Sequence, residues 1–219
     1  MKSFHIILSG HDLGETLGYK NIEIAKSFGL DAHMHSGVKI TKTFEEEFAS
    51  YGITKIASKE GEYVGQQGCF LAHFQLWQKC LELDKPIVIC EHDGVFIREL
   101  PENCLKKFTD VLRLESFHHW LPKYVEKTES SLNNKVGVKT LKTRYRTFYV
   151  GYYGYVVKPS GARKLINQAQ NVGIRSVDSF VDNRVVDIKS VTSSVVTLDK
   201  TYMGRVAELS TTNTKIKIG

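Results

Sequence analysis

Between Phe70 and Cys90 the chain switches from one hydrophobic period to none. In "FLAHFQLWQKCLEL" the residues Phe70, Phe74, Trp77 and Leu81 recur every three or four positions, which lays one apolar stripe along a helix. After Pro86 comes "IVIC", Ile87 to Cys90, apolar at every position. An extended segment alternates its side chains between two faces, so both faces of this one are apolar. Such a strand belongs inside a sheet covered on both sides, and a helix leading straight into it places the chain in the α/β class.

The segments before it repeat the alternation. Phe4 to Ser9 reads as a first strand stopped by Gly10. "ETLGYKNIEIAKSFGL" carries Leu17, Ile24, Ala25 and Phe28 at helical spacing with Gly29 as its stop, and "DAHMHSGV" reads as the next strand. Further on, "PENCLKKFTDVLRL", Pro101 to Leu114, keeps a helical period and is expected to form one helix returning over the sheet. "FYVGYYGYVV" reads as bent strand or hairpin broken by Gly151 and Gly154, and "PSGARKLINQAQ" as a helix with Pro159 near its start. No repeat, low-complexity tract or linker interrupts residues 1–219, so a single domain is expected. A content of 42% hydrophobic and 25% charged residues suits such a domain and excludes a disordered or fibrous chain.

The central strand ends in Glu91-His92-Asp93-Gly94. If the extended geometry continues, Glu91 and Asp93 project together and His92 projects opposite. Two carboxylates on one face repel, and they need a cation or a proton between them. Ligands of open α/β sheets bind at the carboxyl edge of the strands, where this pair lies. A hard divalent cation, Mg²⁺ or Mn²⁺, takes such oxygens and keeps positions open for phosphate oxygens, with Gly94 allowing close approach. Taken alone, the pair reads better as a sheet-end cluster with nothing bound or salt-bridged to lysine.

Four blocks in order, "GCFLAHFQLW", "IVICEHDGVF", "YVVKPSGARKL" and "VDSFV", resemble family 25 of the glycosyltransferases, over roughly residues 65–182. The resemblance implies a single Rossmann-like domain of the GT-A type with a mixed, mostly parallel central sheet. It implies a nucleotide-sugar donor, a divalent cation (Mn²⁺ or Mg²⁺) at Glu91 and Asp93 that stabilises the leaving diphosphate, and inversion at the anomeric carbon. Ala72 and His92 depart from the family pattern, which has serine before the histidine of the first block and an acid in the middle of the second. Asp178, in "VDSFV", is then the candidate base that takes the acceptor's proton. The alternative for Asp178 is capping a helix "SFVDNRVV". His73, His92 and Gly94 are candidate donor-site residues, as are Ser9 and Gly10 after the first strand. His73 among aromatics also reads as a core residue, and Ser9-Gly10 as a tight turn. His33, His35 and the pair His118-His119 read as structural or solvated.

The acceptor is argued from charge. The net charge is +6, and Lys135, Lys139, Lys142, Arg144 and Arg146 form a run without an acid, interleaved with Tyr145, Phe148, Tyr149, Tyr152 and Tyr153. Cations and rings together suit nucleic acid, which favours 5-hydroxymethylcytosine in phage DNA as acceptor. The same cations suit anionic lipooligosaccharide or capsule, and a non-catalytic sugar- or nucleic-acid-binding module is the reading from another class. The opening "MKSFHIILSG" is too short for a signal core or a membrane span. Cys69, Cys80, Cys90 and Cys104 form no C-x-x-C pair and read as buried thiols, so a cytoplasmic location is expected.

Overall fold

The computed structural model describes residues 1–116, 136–140 and 152–199. It begins with β1 (Lys2–Ile7), α1 (Asp12–Ser27) and β2 (Asp31–Ser36), with β1 and β2 parallel from Lys2 opposite Asp31 to Ile7 opposite Ser36. The Nδ1 of His11 accepts the Gly14 N–H at 3.0 Å and caps α1. Past the other end of that helix Gly29 takes the left-handed conformation expected of a stop. Next come α2 (Phe44–Phe48), closed by a Thr43-Glu46 capping box, and α3 (Val64–Leu83), which leads into β3 (Ile87–Glu91).

After β3 follow β4 (Gly94–Phe96), α4 (Glu102–Leu105), β5 (Val111–Arg113), β6 (Val138–Thr140) and β7 (Gly154–Val157). The described chain is completed by α5 (Pro159–Val172), α6 (Val177–Phe180), β8 (Ile188–Val191) and β9 (Val196–Leu198). Seven strands form one sheet in the order β2-β1-β3-β7-β5-β8-β6, and β4 pairs with β9 in a separate ribbon. β2, β1, β3, β5 and β8 run one way, with β7 and β6 against them, so the sheet is mixed and mostly parallel.

"IVIC" sits where its pattern requires, between β1 and β7 with both faces covered. Ile87 and Ile89 join Phe70, Phe74 and Trp77 of α3 and Leu165 and Ala169 of α5 in one core. Val88 and Cys90 join Ile22 and Ala25 of α1 in the core on the opposite face. Each aromatic or branched side chain buried in this way contributes about 1.5–3 kcal/mol.

The helix expected over Pro101–Leu114 is corrected. Only α4 is helical there, and Val111–Arg113 is a strand between β7 and β8. The reason is partners far away in sequence: the Val111 N–H donates to Asp187 O at 3.0 Å and that of Leu114 to Gly154 O at 3.0 Å. Side chains at 111, 112 and 114 are buried on both faces, and tertiary pairing overrides the local period. The helix "SFVDNRVV" is also corrected. α6 ends at Phe180, and Asp182 then accepts the Arg184 N–H at 2.7 Å in a turn.

Candidate functional site

β3 delivers Glu91 to the carboxyl edge of the sheet, as expected, but the chain turns at His92 and Asp93 instead of staying extended. Across that turn the charge of Glu91 still reaches Asp93. The turn brings Asp93 beneath β9, where Asp93 O accepts the Asp199 N–H at 2.8 Å. Gly94 has no side chain because the protein's own backbone needs the space: a Cβ there would stand 2.2 Å from Tyr153 O. The close approach at Gly94 is therefore to β7's leading residues, where Tyr153 O also accepts the Glu91 N–H at 3.1 Å.

α3 supplies the floor of the site. Cys69, His73 and Trp77 are one helical turn apart on its sheet-facing side. The His73 ring is fully buried, with Nε2 3.2 Å from Glu91 Oε1 and Nδ1 2.9 Å from Tyr155 Oη. Trp77 Nε1–H donates to the same Tyr155 oxygen at 2.9 Å, and the Cys69 thiol faces Glu91 Oε1 at 3.9 Å. His73 is thus a buried histidine, as an aromatic setting suggests, and also a neighbour of the carboxylate pair.

Asp178 lies in the first turn of α6 with Ser176 as the N-cap, so it is not the cap of that helix. Its Oδ1 accepts the Tyr152 N–H at 3.2 Å, which fixes its direction. Its charge reaches the carboxylates of β3. Burial first, then the Asp178 charge, pushes Glu91 above the ordinary carboxylate range, although 28% of its side chain stays open to solvent. Asp93 is pushed up by burial, then by Glu91, with smaller contributions from Asp178 and Asp199. The structure therefore gathers Glu91, Asp93 and Asp178, and adds Asp199.

A hard cation fits this arrangement. Asp93 Oδ1 is buried and has no hydrogen-bond partner among the described residues. Oxygen donors of Glu91 and Asp93 that repel one another in its absence are the set Mg²⁺ or Mn²⁺ takes.

His92 lies on the α1 side of the turn after β3, so the strand alternation does not govern its direction. Its ring packs against Gly14 at the start of α1, and burial, then the charge of His11, pushes its imidazole down to about 4. Its carbonyl accepts the Asn21 Nδ2–H at 3.0 Å. Ser9 and Gly10 are exposed on the turn between β1 and α1. Gly10 has φ +81° and its N–H donates to Glu15 Oε1 at 2.7 Å, the geometry of the tight turn. Lys139 contributes backbone to β6, opposite Ser190. Its side chain, with Lys135, Lys142, Arg144, Arg146, Tyr145, Phe148, Tyr149 and the His118-His119 pair, lies outside the described residues.

Sequence reasoning missed Tyr155, Trp77 as a polar partner, Cys69, and the Lys20–Asp199 ion pair at 3.0 Å. The spacing of Cys69, His73 and Trp77 was a usable signal, whereas Asp199 is one isolated acid without a motif around it.

Comparison with known proteins bears on the same residues. The profile of glycosyltransferase family 25 (LPS biosynthesis protein) matches residues 41–181, more than half of the chain and inclusive of Cys69, His73, Glu91, Asp93 and Asp178. The chain belongs to glycosyltransferase family 25. The lipooligosaccharide biosynthesis protein lex-1 of Haemophilus influenzae is 28% identical over 139 residues, covering 57% of this chain and 44% of that protein, so the chain spans less than half the length of this relative. Among solved structures, an active-site mutant of LgtC aligns with a TM-score of 0.44 at 8% identity, over 87% of this chain and 72% of that one. The galactosyltransferase LgtC in complex with donor and acceptor sugar analogs aligns at 0.42 and 9%, over 87% and 73%.

Proposed function

We propose that this chain is a nucleotide-sugar-dependent glycosyltransferase, built as a single domain, whose acceptor is a sugar hydroxyl of a lipooligosaccharide-type glycan. The observation that carries the enzymatic reading is the convergence of Glu91, Asp93 and Asp178 within the span matched by the family, with Asp93 Oδ1 buried and unpartnered among the described residues. The acceptor is supported by the family's description and by the name of the lex-1 relative.

In this reading Glu91 and Asp93 hold Mg²⁺ or Mn²⁺, which when bound neutralises charge developing on the leaving diphosphate. Burial raises both carboxylates, Glu91 adds to the rise at Asp93, and Asp93 Oδ1 has no partner among the described residues, so the pair would gain from a cation. Asp178, oriented by the Tyr152 N–H, takes the proton of the attacking hydroxyl. Ser9 and Gly10 on the turn before α1, and His92 packed against Gly14 at its start, are the residues assigned to the nucleotide.

The test incubates the protein with a panel of nucleotide sugars, Mn²⁺ or Mg²⁺, and either truncated lipooligosaccharide or hydroxymethylated DNA, with products identified by mass spectrometry. Transfer to the glycan that stops with chelator is expected. Transfer to DNA alone sinks the glycan acceptor and favours the basic run of residues 135–146 as a nucleic-acid surface. Full activity in chelator removes the cation.

A further inference from the structure

We infer that Trp77 and Tyr155 set the tautomer of His73, and that His73 in turn holds Glu91 in its cation-binding orientation, as a three-residue positioning chain behind the carboxylate. The last link rests on the cation role proposed above for Glu91; the tautomer does not.

An indole N–H can only donate, so at 2.9 Å from Trp77 Nε1 the Tyr155 oxygen is an acceptor. Tyr155 then has one proton of its own to place, and the other partner within reach is His73 Nδ1, also at 2.9 Å. The two rings lie nearly parallel, 9° apart, with their centres 5.7 Å from each other. Trp77, Tyr155 and His73 are each 0% exposed, and solvent offers none of them an alternative partner. If Nδ1 carried a proton, the Tyr155 hydroxyl would receive two donors and bury its own hydrogen without an acceptor, which is costly. Nδ1 therefore accepts, and the imidazole proton sits on Nε2, facing Glu91 Oε1 at 3.2 Å. A carboxylate so held is fixed in rotation and keeps its other oxygen for the cation.

The same direction decides a competing possibility. Cys69 Sγ, a His73 nitrogen and a Glu91 oxygen lie within 4.8 Å of one another, a donor set that suits zinc. Zinc needs a lone pair on Nε2, and the chain from Trp77 puts a hydrogen there. The resting site therefore belongs to a cation held by carboxylates, with His73 behind them.

The experiment reads the tautomer first. In ¹⁵N-histidine-labelled protein without metal or donor, the His73 signals should be those of the Nε2–H form. In Tyr155→Phe, which removes a single oxygen, they should move toward a mixture of tautomers. Mn²⁺ binding is then measured by electron paramagnetic resonance without any sugar donor: Tyr155→Phe should raise the Mn²⁺ dissociation constant about 10-fold, the lower end of losses seen when a ligand's supporting partner is removed. His73→Gln should retain more Mn²⁺ affinity than His73→Leu, because it keeps an N–H donor. An Nδ1–H signal in the unmodified protein, an unchanged tautomer and Mn²⁺ affinity in Tyr155→Phe, or Zn²⁺ binding that Cys69→Ser abolishes each overturns the inference. Failure of transfer to every acceptor, with the tautomer and Mn²⁺ results as expected, removes the proposed acceptor and leaves the positioning chain standing.

Discussion

Asp93 combines burial with an oxygen that no described neighbour satisfies, and that combination makes its effect on stability opposite to the cation-binding role proposed for it. Its folded-state pKa is raised, so without metal the folded protein favours the protonated carboxyl. Stability from that proton is complete below the ordinary carboxylate range and is lost as pH rises toward the raised value. Asn cannot ionise. Asp93→Asn should therefore melt higher than the unmodified protein at pH 8 in chelator, with the difference shrinking at pH 4; each 1 kcal/mol corresponds to roughly 2–4 °C in a chain of this size. The same substitution should abolish Mn²⁺ binding. A lower melting temperature at pH 8 would show that the carboxylate is compensated by a partner. For Asp178, held by the Tyr152 N–H, Asp178→Asn should cut turnover ~100-fold or more with little change in donor KM. A mainly thermal effect with near-normal turnover would assign it a structural part instead.

At the scale of elements, what the sequence disclosed depends on where each element finds its partners. β3 and α3 were legible because four consecutive apolar residues and a helical stripe are local patterns, and the structure places both where those patterns point. β5 was not. Three residues between β7 and β8 carry no local period, and their pairing is with segments made later in the chain. The candidate site divides the same way: Glu91 and Asp93 were visible as a pair at a strand end, while the turn between them, and Asp199 beside them, depend on β9. Gly94 sits at this junction. A methyl group there would press on Tyr153 O, so Gly94→Ala should cost about 1–3 kcal/mol, read as a lower melting temperature, and loosen Mn²⁺ binding because β4 must shift. An unchanged melting temperature would mean that β7's leading residues yield freely.

For the molecule as a whole, acid is the exposed flank. His5 in β1 is 0% exposed, its ring nitrogens have no hydrogen-bond partner among the described residues, and burial pushes it down to about 4. His73 and His92 are likewise pushed down to about 4, by burial first. Each of these groups contributes stability that is present above the unfolded value near 6.5 and is lost as pH falls through about 4. Melting temperature should fall between pH 6.5 and 4, and His5→Leu should flatten that limb by about one proton. An unaltered slope would relieve His5 of the role. The ribbon of β4 and β9 has a consequence for how the protein is born. Lys20 and Asp199 are separated by 179 residues, and the Asp199 N–H that meets Asp93 is supplied by one of the last described positions to be synthesised. While the ribosome is still making the segment after α6, the nascent chain already carries α3, β3 and both carboxylates, yet has no β9 to close the turn over them. If Glu91 and Asp93 hold the proposed cation, its capture must wait until translation has passed residue 199, and a stalled nascent chain ending at Val186 should bind Mn²⁺ far more weakly than the released protein.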